Sequence, residues 1–262
     1  MIVTAADQVL SITLRKAASI TLTVRPETAT VTMTDRNGGT VSASASESGT
    51  YTYQLYDGDT YDYSAEESGY LSQSGNFNAY DGQTINISLK SEAGVREITG
   101  SGYHITESGT YSIEEGYSGI IYLDTAEDVT IVGTGIAREN VYNDLTIKAT
   151  VKGIHLTVEN LYIAENTAGT QEGETTSGQS ILDVIGTGNY LSFEGTNLFE
   201  NENYVQSAML HVPKGTELIL GGTGTLYMYK YTQGSGIGGS TAESSGQIIF
   251  DSGNYFIKIG RA

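Results

Sequence analysis

Apolar and polar residues alternate along most of this chain, with the period of two expected of strands that bury one face. In the second half the alternating blocks share a form. A short apolar strand meets a corner, in most copies Gly- or Asn-bearing, and a second strand follows. Residues 218–228 (LILGGTGTLYM) give the clearest copy. Related blocks lie at 129–135 (VTIVGTG), 156–163 (LTVENLYI), 191–199 (LSFEGTNLF) and 248–257 (IIFDSGNYFI). Their first positions are 129, 156, 191, 218 and 248, so the steps are 27, 35, 27 and 30 residues. No amphipathic helix intervenes. A recurrence at 20–50 residues is the mark of stacked repeats. Here it fits one coil of a parallel β-helix, each coil lying on the last. A second apolar strand precedes the later blocks, at 119–123, 180–184, 207–212 and 234–239. The pattern therefore predicts about three strands per coil. Residues 165–179 (ENTAGTQEGETTSGQ) read as a polar insertion at one corner, and insertions in a solenoid often form its binding face.

The first third differs. Alternating runs occupy residues 19–24, 29–34, 50–55, 60–65, 75–79 and 83–89. Asn37-Gly38 is a strong hairpin signal. Short strands at such spacing predict a small antiparallel sandwich over residues 18–92. Residues 8–17 (QVLSITLRKA) and 83–92 (QTINISLKSE) resemble each other at an offset of 75. Residues 1–17 are accordingly expected to be the last strand of a preceding module. Residues 93–262 are expected to form the β-helix and, with no polar cap in the last coil, to continue into further coils.

Two resemblances refine this picture. ATVTMTDRNGG, GTYTYQLYDGDTYDYSAEESGY and GQTINISL resemble the small Ig-like or prealbumin-like modules, PEGA-like or carboxypeptidase-regulatory-like, of bacterial surface proteins. Such modules mostly act as spacers. VTIVGTG, LTVENLYIAEN, LSFEGTNLFEN, LILGGTGTLYM and GSGIGGSTAESSGQIIFDSGNYFIKIG resemble right-handed parallel β-helices over residues 95–262. The last is similar to GxGIGG repeats of large surface proteins from Gram-positive gut bacteria, often labelled carbohydrate-binding. Residues 98–112 resemble the strands that cover the first coil of many β-helices. These resemblances imply an all-β fragment of an extracellular, cell-surface protein, an adhesin with a spacer and a binding solenoid.

Composition narrows the partners. The chain has 262 residues, 13 Lys+Arg against 31 Asp+Glu, and a formal net charge of -18. Nucleic acid is a poor partner for such a surface, which lacks the basic patch that phosphates require, and anionic membranes are disfavoured too. Residues 1–8 have no basic and apolar leader pattern, and no run is long and apolar enough to span a bilayer. There is no cysteine, so thiol chemistry, disulfides and Cys-held metals are excluded. No cofactor is implied, and a monomer is expected.

Several residues are candidates for chemistry. Tyr227, Tyr229 and Tyr231 alternate along one strand and so share a side, while Leu226 and Met228 occupy the other. If the apolar pair faces the core, the tyrosines form an aromatic strip for a glycan or a protein. Tyr142, Tyr162, Tyr190 and Tyr204 are candidates to extend it. Asp57, Asp59 and Asp62 have oxygen ligands at a spacing suited to Ca²⁺, but the EF-hand glycine and glutamate are missing, and solvated hairpin aspartates are favoured. An alternative reading is a polysaccharide lyase or glycoside hydrolase on the same scaffold. It needs two carboxylates facing across a groove, drawn from Glu159, Glu165, Asp183, Glu194, Glu200 and Glu202. Stacking would align Glu159 with Glu194. His104, His155 and His211 lie in separate coils and read as structural or surface residues.

Overall fold

The computed structural model describes residues 15–165, 180–201, 207–231 and 235–260. These residues form strands joined by turns, with one short 3₁₀ turn at Arg138–Asn140 and no α-helix among them. The chain makes two compact units, Met1–Tyr63 with Asn76–Ser88, and Ser64–Gly75 with Leu89–Ala262.

Seven strands belong to the first part of the chain. They are Ala17–Arg25 (β1), Thr30–Asp35 (β2), Ala45–Glu47 (β3), Thr50–Tyr56 (β4), Thr60–Glu66 (β5), Gln73–Asn78 (β6) and Thr84–Ser88 (β7). They make a four-stranded sheet of order β3-β4-β1-β7 and a three-stranded sheet of order β2-β5-β6. The alternation in β1 is complete: Ala18, Ile20, Leu22 and Val24 are all fully buried. One expectation fails here. The sheet is not purely antiparallel, because β1 pairs parallel with β7 from Thr21↔Thr84 to Arg25↔Ser88. A parallel neighbour needs a long crossover, and β2 to β6 supply it. The expected repeat in residues 1–14 lies outside the described residues.

The unit boundary also departs from the expected break near residue 92. Ser64–Gly75 belongs with the later residues. Leu71 N donates to Lys90 O at 2.8 Å, Glu92 N to Gly69 O at 2.9 Å and Ser74 N to Thr134 O at 2.9 Å. At the last contact only glycine fits. A Cβ on Gly135 would lie 1.8 Å from the Ser74 carbonyl oxygen.

From residue 95 the strands come in sets. The first two sets are Val95–Ile98 (β8) with Gly102–Ile105 (β9), and Gly109–Ile113 (β10) with Gly119–Leu123 (β11). Asp128–Val132 (β12), Tyr142–Asn143 (β13) and Leu145–Ala149 (β14) follow. Next come His155–Glu159 (β15), Tyr162–Glu165 (β16) and Leu182–Asp183 (β17), then Asn189–Glu194 (β18), Thr196–Asn201 (β19) and Leu210–His211 (β20). Glu217–Gly222 (β21), Thr225–Lys230 (β22), Ile237–Gly238 (β23), Gln247–Phe250 (β24) and Asn254–Ile259 (β25) complete the series. Corresponding strands pair across sets. The first parallel sheet runs β24-β21-β18-β15-β12-β10-β8, the second β23-β20-β17-β14-β11-β9 and the third β13-β16-β19-β22-β25. The strands expected near 129, 156, 191, 218 and 248 are β12, β15, β18, β21 and β24, and each pairs parallel with the next. Residues 98–112 are not a separate cover. β8 and β9 lie parallel and in register with β10 and β11, as a first layer of the same sheets.

Register explains the core. Val129, Leu156, Leu191 and Leu220 stack in the first sheet, Ile121, Ile147, Leu182 and Leu210 in the second, and Ile163, Phe199 and Met228 in the third. All eleven are buried and join one apolar cluster. Because side chains alternate, the same register stacks the outward residues too.

Polar corners separate the strands, and buried asparagines hold them. The Asn189 amide accepts from Gly153 N at 3.0 Å and Ile154 N at 3.3 Å. Its Nδ2 donates to the carbonyls of Ile185, Gly186 and Glu217 at 3.1, 3.1 and 2.8 Å. Asn197 accepts from Leu161 N and donates to Glu194 O, both at 3.0 Å.

Candidate functional site

The outer face of the third parallel sheet brings together the residues best suited to a ligand. Leu226 and Met228 are fully buried, so Tyr227 and Tyr229 point away from the core. Register then builds columns across the strands. Tyr162, Leu198, Tyr227 and Phe256 form one. Ala164, Glu200, Tyr229 and Lys258 form the next. Thr196, Thr225 and Asn254 flank them on the other side. Neighbouring strands are about 4.8 Å apart, so a four-residue column spans about 14 Å.

Contacts within the columns are specific. The rings of Tyr227 and Phe256 are nearly parallel, at 15°, with centroids 5.0 Å apart. Phe256 is 54% exposed, so the stack is open on its far side. The Tyr162 hydroxyl donates to Glu200 at 2.6 Å. Burial first, and then the Glu200 carboxylate, raise the pKa of Tyr229 above its ordinary value. Tyr231 follows β22, and its N–H donates to Asn201 O at 3.1 Å.

The expected strip therefore exists in a modified form. Tyr227, Tyr229 and Tyr231 are half-buried rather than fully open, and for the first two the strand neighbours Leu198, Phe256, Glu200 and Lys258 account for the cover. Of the proposed extensions, Tyr162 joins the column in register but is itself buried. Tyr142 points inward and is buried, opposite Ile163. Tyr190 is in the first sheet, opposite Ile219, with its hydroxyl over Gly221, where a Cβ would lie 2.0 Å from it. Tyr204 and residues 166–179 of the insertion lie outside the described residues. Phe256 and Leu198 were missed, although each is 29 residues from Tyr227, one repeat in either direction.

The carboxylates proposed for catalysis are each engaged where described. Glu159 and Glu194 are in register, as their shared corner implies. Glu159 forms an ion pair with Lys90, and Glu194 accepts from the Thr223 hydroxyl. Glu200 accepts from Tyr162. The Glu165 side chain and Glu202 lie outside the described residues. In the first unit, Asp57 pairs with Lys16 at 3.0 Å and Asp59 with Arg15. The Arg15 bond also holds the Asp59 carboxyl below its ordinary pKa. These cations take the place proposed for Ca²⁺ at Asp57, Asp59 and Asp62. Among the described residues no group of three or more His, Asp or Glu is placed to hold a metal.

Each histidine has an acidic partner one layer away. His104 Nδ1 is 2.6 Å from Asp124, and His155 Nδ1 is 3.2 Å from Asp128. His211 lies between two carboxylates, with Nδ1 2.8 Å from Asp183 and Nε2 2.7 Å from Glu243. His104, Tyr122, Lys148, Asp183 and His211 occupy one outward column of the second sheet, an alignment hidden in the sequence by unequal spacing. Burial lowers the pKa of His211, but its bonds to Glu243 and Asp183 outweigh burial and raise it overall. A raised folded pKa stabilises most below the unfolded value of about 6.5 and is lost as pH climbs through the folded value. The difference in thermal midpoint between the wild type and His211→Gln should therefore be largest at mildly acidic pH and shrink toward alkaline pH. Thermal melts of both proteins across that range check this. A difference that grows with pH would contradict it.

No family model, curated protein or solved structure matches the chain.

Proposed function

We propose that this chain is a non-catalytic binding segment of an extracellular surface protein, with a neutral glycan as its ligand. In this reading the first unit is an Ig-like sandwich that serves as a spacer, and the later residues form a right-handed parallel β-helix. The three parallel sheets, to which each of the four layers from β12 to β23 gives one strand, support the helical coil. Its hand follows from the strong bias of parallel crossovers toward right-handed connections.

The single observation that carries the binding reading is the Tyr162–Leu198–Tyr227–Phe256 column on an outer face. Sugars offer apolar C–H faces and a rim of hydroxyls. Leu198, Tyr227 and Phe256 supply aromatic and aliphatic surface, while Thr196, Thr225, Asn254 and Glu200 supply hydrogen-bonding groups beside it. By analogy with aromatic pairs, each such contact should be worth about 0.5–1.5 kcal/mol. The net charge of -18 favours a neutral ligand over a polyanion. The enzyme reading has less support, since Glu159, Glu194 and Glu200 are held by Lys90, Thr223 and Tyr162.

A glycan array tests the proposal. The wild type should bind a neutral glycan, and the Tyr227→Ala/Tyr229→Ala/Tyr231→Ala variant should lose that binding by at least roughly tenfold while its circular dichroism stays β-rich. Unchanged binding by the variant would reject the face as the site. Binding only to basic proteins would reject the glycan reading, and turnover of a bound polysaccharide would reject the non-catalytic one.

A further inference from the structure

A concavity lies in the later unit at the β13 end of the third sheet, one strand from Tyr162 and lined by none of the column residues. It has a volume of about 290 Å³, the lower end of the size that holds a small ligand. Its apolar lining is Ile113, Val141 and the ring of Tyr142. Its polar lining is Glu115, Glu139, Asn140 and the hydroxyl residues Ser72 and Thr134. The charge of that lining is one-sided, with two carboxylates and no cation.

Asn140 Nδ2 donates to Thr134 O at 3.0 Å and also to Ser74 Oγ. A carbonyl can only accept, so this contact fixes which end of the amide is nitrogen. The Ser74 hydroxyl donates to the same Thr134 carbonyl at 3.3 Å and therefore accepts from Asn140. Both donors of the amide are thus used, and its Oδ1 is left as an acceptor. The Tyr142 hydroxyl is also committed, donating to Ile113 O at 3.2 Å. Glu115 and Glu139 have no hydrogen-bond or ion-pair partner among the described residues. The Glu115 field is felt at Tyr142, whose pKa is raised first by burial and further by this carboxylate. Arg138 does not line the cavity. The cavity therefore offers two unneutralised carboxylates and an amide oxygen above an apolar and aromatic wall.

A neutral sugar would leave the two carboxylates without a counter-charge. A positively charged donor supplies it, the Ser72 and Thr134 hydroxyls and the Asn140 oxygen can accept from it, and its stem can lie on Ile113, Val141 and Tyr142. An ammonium or guanidinium also gains from the face of an aromatic ring. We propose that this cavity binds a small organic cation, an ammonium or guanidinium group carried on a short stem. The site is distinct from the glycan face, and neither proposal depends on the other.

Amide NMR spectra titrated with n-butylammonium, glucosamine and glucose test it. n-Butylammonium and glucosamine should shift the Glu115, Glu139 and Asn140 amides saturably, and glucose at equal concentration should not. The Glu115→Gln/Glu139→Gln variant keeps the side-chain shapes and should bind n-butylammonium at least roughly tenfold more weakly, because charge-assisted bonds become neutral ones. A control, Glu27→Gln/Glu47→Gln in the first unit, should bind as the wild type does. Tighter binding of glucosamine than of n-butylammonium assigns the cation to an amino sugar, and the reverse assigns it to a lysine-like chain. The proposal is overturned if glucose shifts the same amides equally, if the shifts spread unsaturably over acidic residues elsewhere, or if the double variant binds unchanged.

Discussion

Asn189→Leu is expected to lower the unfolding free energy by about 3–5 kcal/mol, a large loss for one substitution. The side chain is fully buried. Its Oδ1 satisfies Gly153 N and Ile154 N, and its Nδ2 satisfies three carbonyls, the farthest in sequence being Glu217 O. Leucine has a similar volume but no polar atom. It would leave two backbone donors and several acceptors buried without partners, at about 1–3 kcal/mol for each group that water cannot reach. The loss should exceed a simple cavity effect, because the partners lie in three successive layers. Urea unfolding checks it. The midpoint should fall sharply with little change in slope, since the area exposed on unfolding is nearly the same. A loss below about 1 kcal/mol would mean that Asn189 does not hold these layers together.

That role was not legible in the sequence. Asn189 sits in GTGNYL, and a Gly-rich run with an asparagine reads as an ordinary turn. What marks it as structural is its burial, which depends on strands about 30 residues away on either side. The layered strands themselves were legible, because in-register stacking puts the same apolar positions in each copy. β12, β15, β18, β21 and β24 start within two residues of the positions read from the pattern. β14 was missed, since LTIKA follows a polar stretch at an irregular interval and has no neighbouring copy with the same corner. β3 was missed because it is three exposed residues, with no apolar alternation to reveal it. The parallel β1–β7 pair was missed because alternation reports a buried face and not strand direction.

The candidate face was legible only along the chain. Leu226 and Met228 told which way Tyr227 and Tyr229 point, since period two fixes sides within a strand. It cannot say what lies on the next strand. Leu198 and Phe256, which half-cover Tyr227 and complete its column, come from the layers on either side. The cavity was invisible for a related reason. Ser74 reaches Thr134 and Asn140 through contacts 60 and 66 residues long in sequence.

The proposed glycan face rests on the register of the parallel layers, and above all on that of β19 with β22. Thr196 and Thr225 are paired there, on the outer face, beside the Tyr227 column. Their Cα atoms should be about 5 Å apart, within the range that a disulfide spans. The chain has no cysteine of its own, so only introduced thiols would react. In the most direct test, Thr196→Cys/Thr225→Cys is oxidised under mild conditions as a dilute monomer, and the product is read by gel mobility and intact mass. The control is Thr196→Cys/Tyr229→Cys, on the same face but four residues along the strand, a shift of about 13 Å. Nearly complete intramolecular bonding of the first pair, with little in the control, is the predicted result. Failure of the first pair to bond, or preferential bonding of the control, would contradict the register and with it the aromatic column.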